Sequence, residues 1–99
     1  MGFVVAEKQG PHGLLLVITD KELLGKTFEE RKLILNLSTA FYQGAEKNQA
    51  EVVGTLHFAR NVIFTGEDAV ALGISLDLID KERIMRVQGI PHAQVMKGE

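Results

Sequence analysis

A chain of 99 residues, 45% hydrophobic and 24% charged, has the balance of a globular protein, which excludes a second domain and a disordered, charge-rich chain. Eleven Lys and Arg against thirteen Asp and Glu, interspersed along the chain, give a formal charge of −2 and no basic block, so at most a small local patch could meet nucleic acid. The lack of cysteine excludes disulfides, thiolate nucleophiles and cysteine-ligated zinc.

Residues 3–8 and 14–19 are rich in β-formers and flank Gln9-Gly10-Pro11-His12-Gly13, a cluster of turn residues, which predicts a β-hairpin. The second arm is apolar without alternation, so it belongs in the middle of a sheet, covered on both faces. Asp20 is expected to cap a short helical turn over Lys21 to Leu24, ended by Gly25. Lys32 to Leu37 alternates and predicts a third strand with Leu33, Leu35 and Leu37 on one face. Ser38 to Ala45 is ambiguous between a strand end and a structured loop.

Asn48 followed by Glu51 predicts a capping box that opens a helix running to about residue 59, with Val52, Val53, Leu56 and Ala59 as its apolar stripe. Asn61 to Phe64 reads as a buried strand or extended connector. Thr65 and Asp68 repeat the capping pattern for a second helix to roughly Asp77, and Gly73 within it points to close packing. Arg83 to Gln88 forms the last expected strand, followed by a Gly89-Ile90-Pro91-His92-Ala93-Gln94-Val95 loop and a polar end. The expected fold is α+β: one small domain with a mainly antiparallel or mixed sheet of about five strands and two helices on one face.

At this length the radius of gyration is about 13 Å, so any ligand site is a shallow cleft or an oligomer interface. The start, MGFVVAEK, lacks the features of a signal peptide, and Ala6 stands where myristoylation needs Ser or Thr. The longest apolar run, Leu14 to Ile18, is far short of the roughly 20 residues that cross a bilayer. The expected setting is cytoplasmic, with no membrane contact.

Gly25-Lys26-Thr27 follows a strand as a phosphate loop would, but Asp20 sits where the motif needs glycine, and the helix-cap reading is preferred. His12, His57 and His92 show no metal-ligand spacing, and neither metal nor cofactor is expected; His12 reads as exposed and His57 as half buried. In an extended chain His92 and Gln94 project to one side, roughly 6 to 7 Å apart, and could hold a polar ligand or cap the sheet edge. Phe41-Tyr42 is either a core anchor or a stacking platform. No nucleophile stands in a recognisable elbow, and the acidic residues sit among cations in solvated segments, so no catalytic residue is assigned.

Leu23-Leu24-Gly25-Lys26, Phe28, Phe41-Tyr42-Gln43-Gly44, Asn61-Val62 and Gly89-Ile90-Pro91-His92-Ala93-Gln94 together resemble the archaeal domain-of-unknown-function family four hundred and twenty-four, over nearly the whole chain. This chain has Gln43-Gly44 where that family often has two glycines, and Lys81 where proline is common. The resemblance implies an archaeal cytosolic protein with a small α+β fold and a setting near translation or RNA handling, and carries no established activity. The primary expectation is a non-enzymatic binding module for a ribosomal, RNA or translation-factor partner. Its binding residues are taken as Gly25, Lys26, Tyr42, Gly44, Pro91, His92 and Gln94. The alternatives are a small-ligand binder or enzyme using His92, and a homo-oligomer joined through edge strands.

Overall fold

The computed structural model describes residues 2–97; Met1 and the last two residues of the polar tail, Gly98 and Glu99, lie outside the described residues. The predicted hairpin forms β1 (Phe3–Gly10) and β2 (Gly13–Asp20), paired in one unbroken antiparallel register from Phe3↔Asp20 to Gly10↔Gly13. Leu16, Val17, Ile18 and Thr19 are all buried, as a strand covered on both faces requires. β2 lies in the interior of a six-stranded sheet ordered β5-β1-β2-β6-β8-β7.

Beyond β2 the chain makes a short 3-10 turn at Lys21–Leu23 and then a second, separate hairpin of β3 (Thr27–Glu30) and β4 (Leu33–Asn36). The fold is α+β as expected, with eight strands in place of about five. β3, β5 (Ala45–Lys47) and β8 (Ile90–Met96) were not anticipated. β4 fills the core of the expected 32–37 strand, and β7 (Met85–Val87) that of the expected 83–88 strand. β6 (Asn61–Thr65) runs parallel to β2, and every other pairing is antiparallel, so the sheet is mixed.

The loop expected at 89–95 is β8, which pairs with β6 on one side and with β7 on the other. Proline normally stays out of such a position because it cannot donate to the ladder. Pro91 is tolerated because it faces the end of β6, where its carbonyl accepts the Gly66 N–H at 2.9 Å and no acceptor needs its missing proton.

Helix α1 (Gln49–Leu56) opens with the predicted capping box. Asn48 Oδ1 accepts the Glu51 N–H, and Glu51 Oε1 accepts the Asn48 N–H, both at 2.9 Å. It stops three residues short of the expected end. Helix α2 (Glu67–Ser75) begins differently from expectation, since Gly66 holds the cap position and offers no side chain. Asp20 caps this helix from the far end of β2, accepting the N–H groups of Asp68 and Ala69 at 2.9 and 2.8 Å, and makes no bond to the 3-10 turn beside it. Gly66 has φ +111, and a Cβ there would overlap the Asp20 carboxyl, so glycine is what lets β2 and α2 meet.

Both helices cover the same sheet face. Phe3, Val5, Leu16, Ile18, Val62 and Phe64 point into the core they share with Val52, Leu56, Val70 and Leu72. A side chain at Gly73 would collide with Ile79, which accounts for the glycine in mid-helix. The opposite face is covered by the β3–β4 hairpin and by a 3-10 turn at Ala40–Tyr42, over a smaller cluster centred on Leu35, Leu37 and Val87. No described helix is long and apolar enough to cross a membrane.

Candidate functional site

The strand register sets a polar row on the hairpin side of the sheet. Thr19 pairs with Thr65, and Thr65 pairs with His92, so three polar side chains lie side by side across β2, β6 and β8. Thr65 Oγ1 and His92 Nδ1 are 2.9 Å apart. The Thr19 hydroxyl is buried and has no partner among the described residues. His92 is half-buried, and that burial lowers its pKa, so the ring stays neutral near pH 7. Sequence reasoning singled out His92 but missed both threonines in this role, because the β6–β8 pairing brings Thr65 beside it and the parallel β2–β6 pairing brings Thr19 beside Thr65.

The expected binding residues divide into those on the surface and those spent on packing. Lys26 is exposed, and its backbone ties the hairpin down through the Leu37 N–H to its carbonyl at 2.8 Å. Gly25, with φ +90, donates its N–H to the Leu37 carbonyl. Gln94 is exposed and shares the hairpin side with His92, since the two residues are separated by Ala93, which faces the helix-side core. Tyr42 is half-buried against the smaller cluster, and burial raises its hydroxyl pKa.

Pro91 is buried, which leaves its side chain unavailable to a ligand. A Cβ on Gly44 would overlap the Val5 carbonyl, so this glycine allows the chain to pass close over β1. His57 is exposed rather than half buried, and His12 is exposed. The three histidines do not converge: His12 stands in the β1–β2 turn, His57 caps the end of α1, and His92 lies in β8 near the opposite end of the sheet.

Asp20, Glu22 and Asp68 bring their carboxylate oxygens within 4.8 Å of one another. Burial pushes the Asp20 pKa up to about 6, against the pull of the Asp68 and Ala69 N–H groups, with smaller upward pushes from the charges of Asp68 and Glu22. Both Asp20 oxygens already accept helix N–H groups, so the cluster reads first as a helix cap. Its sequence signal is faint: β2 closes on Thr19-Asp20 and β6 on Thr65, just before Gly66.

Away from the polar row, the hairpin side carries cations that ion pairs leave free among the described residues. Lys26, Arg31 and Lys32 are exposed and make no ion pair among the described residues. Lys8 projects to the same side as Val4 and Ala6, with its ammonium 4.9 Å from the centre of the Phe41 ring. Phe41 meets Tyr42 edge-on, with centroids 5.1 Å apart and planes at 82°. Of the acids on this side, Glu46 pairs with Lys21 at 3.0 Å and Glu30 accepts the Gln88 N–H at 2.6 Å, while the exposed Glu29 carboxylate has no partner among the described residues.

The model of a family described as "Protein of unknown function (DUF424)" matches residues 7–97. No curated protein matches the chain. A crystal structure of an uncharacterized conserved protein from Methanopyrus kandleri superposes with a TM-score of 0.73 at 21% identity, covering 100% of this chain and 96% of the other. At that identity the likeness shows the fold alone.

Proposed function

The chain belongs to the DUF424 family, a family of unknown function, and on that premise we propose that it is a non-enzymatic binding module whose hairpin side contacts RNA. The observation that carries this reading is the exposed Phe41 ring with the Lys8 ammonium 4.9 Å from its centre, to which the β3–β4 hairpin adds Lys26, Arg31 and Lys32, exposed and free of ion pairs among the described residues. Unpaired cations neutralise phosphates, and an exposed aromatic ring gives an unstacked base a surface to lie on.

The groups that chemistry would need are committed elsewhere. Asp20 caps α2, and one His92 ring nitrogen is tied to Thr65. The hydroxyl beside His92, that of Thr65, is fully buried and out of a substrate's reach. A role near translation or RNA handling in the cytoplasm follows from this reading as its natural setting, with ribosomal RNA as the first partner to test.

Fluorescence anisotropy with a single-stranded RNA oligonucleotide, titrated at several salt concentrations, tests the proposal. Four phosphate contacts predict a slope of log K against log salt of about −3. The double variant Arg31→Glu/Lys32→Glu should weaken binding and flatten that slope by about 1.4. Binding that is absent at low salt, or a slope unchanged in the variant, refutes the reading.

A further inference from the structure

The lower half of β1 is an open sheet edge. The two-residue turn at Pro11 and His12 is closed by the Gly10–Gly13 pair, so Gly10, Lys8, Ala6 and Val4 turn their backbone groups toward β2. Phe3, Val5, Glu7 and Gln9 turn theirs the other way. β5 covers Phe3 to Val5 and stops there. No turn, loop or cap hydrogen bond of the backbone reaches Glu7 or Gln9 among the described residues. Their N–H and C=O groups therefore face outward in a row.

A cleft of about 510 Å³ opens beside this edge, between β1 and α1, with Leu14, Thr55 and Phe58 along its walls. Phe58 is 77% exposed, an unusual state for a phenylalanine. A Cβ on Gly54, which also lines the cleft, would meet nothing within 4 Å. Lys47 and Glu51 offset each other in charge along the lining, which leaves Glu7 as the net charge, on the open strand itself.

We infer that this edge and cleft receive an extended segment of another protein, which adds a strand to β1 below β5 and sets a basic side chain against Glu7. Strand addition supplies main-chain hydrogen bonds, while a pocket beside the edge supplies side-chain selectivity. The aliphatic stem of a lysine or arginine lies along Leu14 and Phe58, with its cation at Glu7. The next side chain faces Lys8 on the other side and is acidic. A second copy of this chain is disfavoured in the registers that use Glu7. Antiparallel pairing of two β1 edges sets Lys8 against its own counterpart when Glu7 meets Gln9, and sets Glu7 against its own counterpart when the register is centred there; both juxtapose like charges. The Glu7-Lys8 pair thus guards the edge against self-association while marking it for a partner of complementary order.

The test is an NMR titration of the isotope-labelled protein with the peptide acetyl-Thr-Val-Thr-Glu-Lys-Val-amide, and with its counterpart in which Glu and Lys are exchanged. The first peptide should shift amides in residues 6–10 and in α1 saturably and slow hydrogen exchange at Glu7 and Gln9. The exchanged peptide should bind up to about fivefold more weakly. Glu7→Lys should remove or invert that preference. Gly54→Leu, which has open space for its side chain and a better helix former than glycine, should fold and lose binding. No shift in β1 up to the solubility limit of the peptide, equal affinity for the two peptides, or full binding by Gly54→Leu overturns the inference.

Discussion

The two faces of the six-stranded sheet are packed differently. Among the described residues, fourteen buried apolar side chains form one continuous core on the helix side, whereas the hairpin side has a cluster of three, with Val4, Ala6 and Val17 buried apart from it, beside a polar row that includes an unpartnered hydroxyl. Close apolar packing fixes a single arrangement, while a thin, partly polar layer costs less to rearrange. The contrast assigns stability to the helix side and leaves the hairpin side as the face proposed to meet RNA.

Truncation in the two layers gives the sharpest test of that contrast. Phe64→Ala, at a fully buried position against α2, should cost about 3–5 kcal/mol in urea unfolding. Leu37→Ala should fall near the lower end of the about 2–5 kcal/mol range for such changes, because the hairpin layer can settle into the space. Equal losses would erase the distinction between the layers.

Asp20 joins the two sides and makes stability depend on pH. Its folded-state pKa, about 6, lies above the ordinary 3.8, so the folded protein holds this proton more tightly than the unfolded chain does. Its contribution is fully present below pH 3.8 and is lost as pH rises through about 6. At most about 3 kcal/mol is involved, since each pH unit that separates the two values is worth about 1.4 kcal/mol. Asp20→Asn should flatten the difference in unfolding free energy between pH 4 and pH 7. A wild-type protein that gains nothing from this residue as pH falls would show that the two helix N–H groups outweigh burial.

Gly66→Ala forces a side chain into the Asp20 carboxyl at φ +111 and should cost about 1–3 kcal/mol by thermal melting. The smallest effects belong to the polar row. Thr65→Val removes the bond to His92 and should cost about 1 kcal/mol, whereas Thr19→Val removes an unpartnered buried hydroxyl and should be neutral or stabilising. A loss on Thr19→Val would show that a partner satisfies that hydroxyl in solution.

Local chemistry was legible in the sequence. The turn residues around Pro11 gave the hairpin, Asn48 and Glu51 gave the capping box, and the unbroken apolar run from Leu14 to Ile18 marked a strand covered on both faces. What depends on long-range pairing was not legible. β8 carries a proline, which demotes a segment from strand by rule, and only the end of β6 beside it makes that proline harmless. Asp20 follows a strand and precedes a turn, so the nearest helix looked like its partner, yet its oxygens serve a helix 48 and 49 residues away. The same limit applied to the surface: Lys8 and Phe41 lie 33 residues apart in sequence (8 to 41), and only the fold sets the ammonium 4.9 Å from the ring centre.

The central claim is that the hairpin side meets RNA while the helix side holds the fold, and chemical-shift mapping with a twelve-residue uridine oligonucleotide tests it most directly. The account predicts perturbations clustered on Lys8, Lys26, Arg31, Lys32 and Phe41, with α1 and α2 unaffected. Perturbations centred on the helices, or none at low salt, would contradict it.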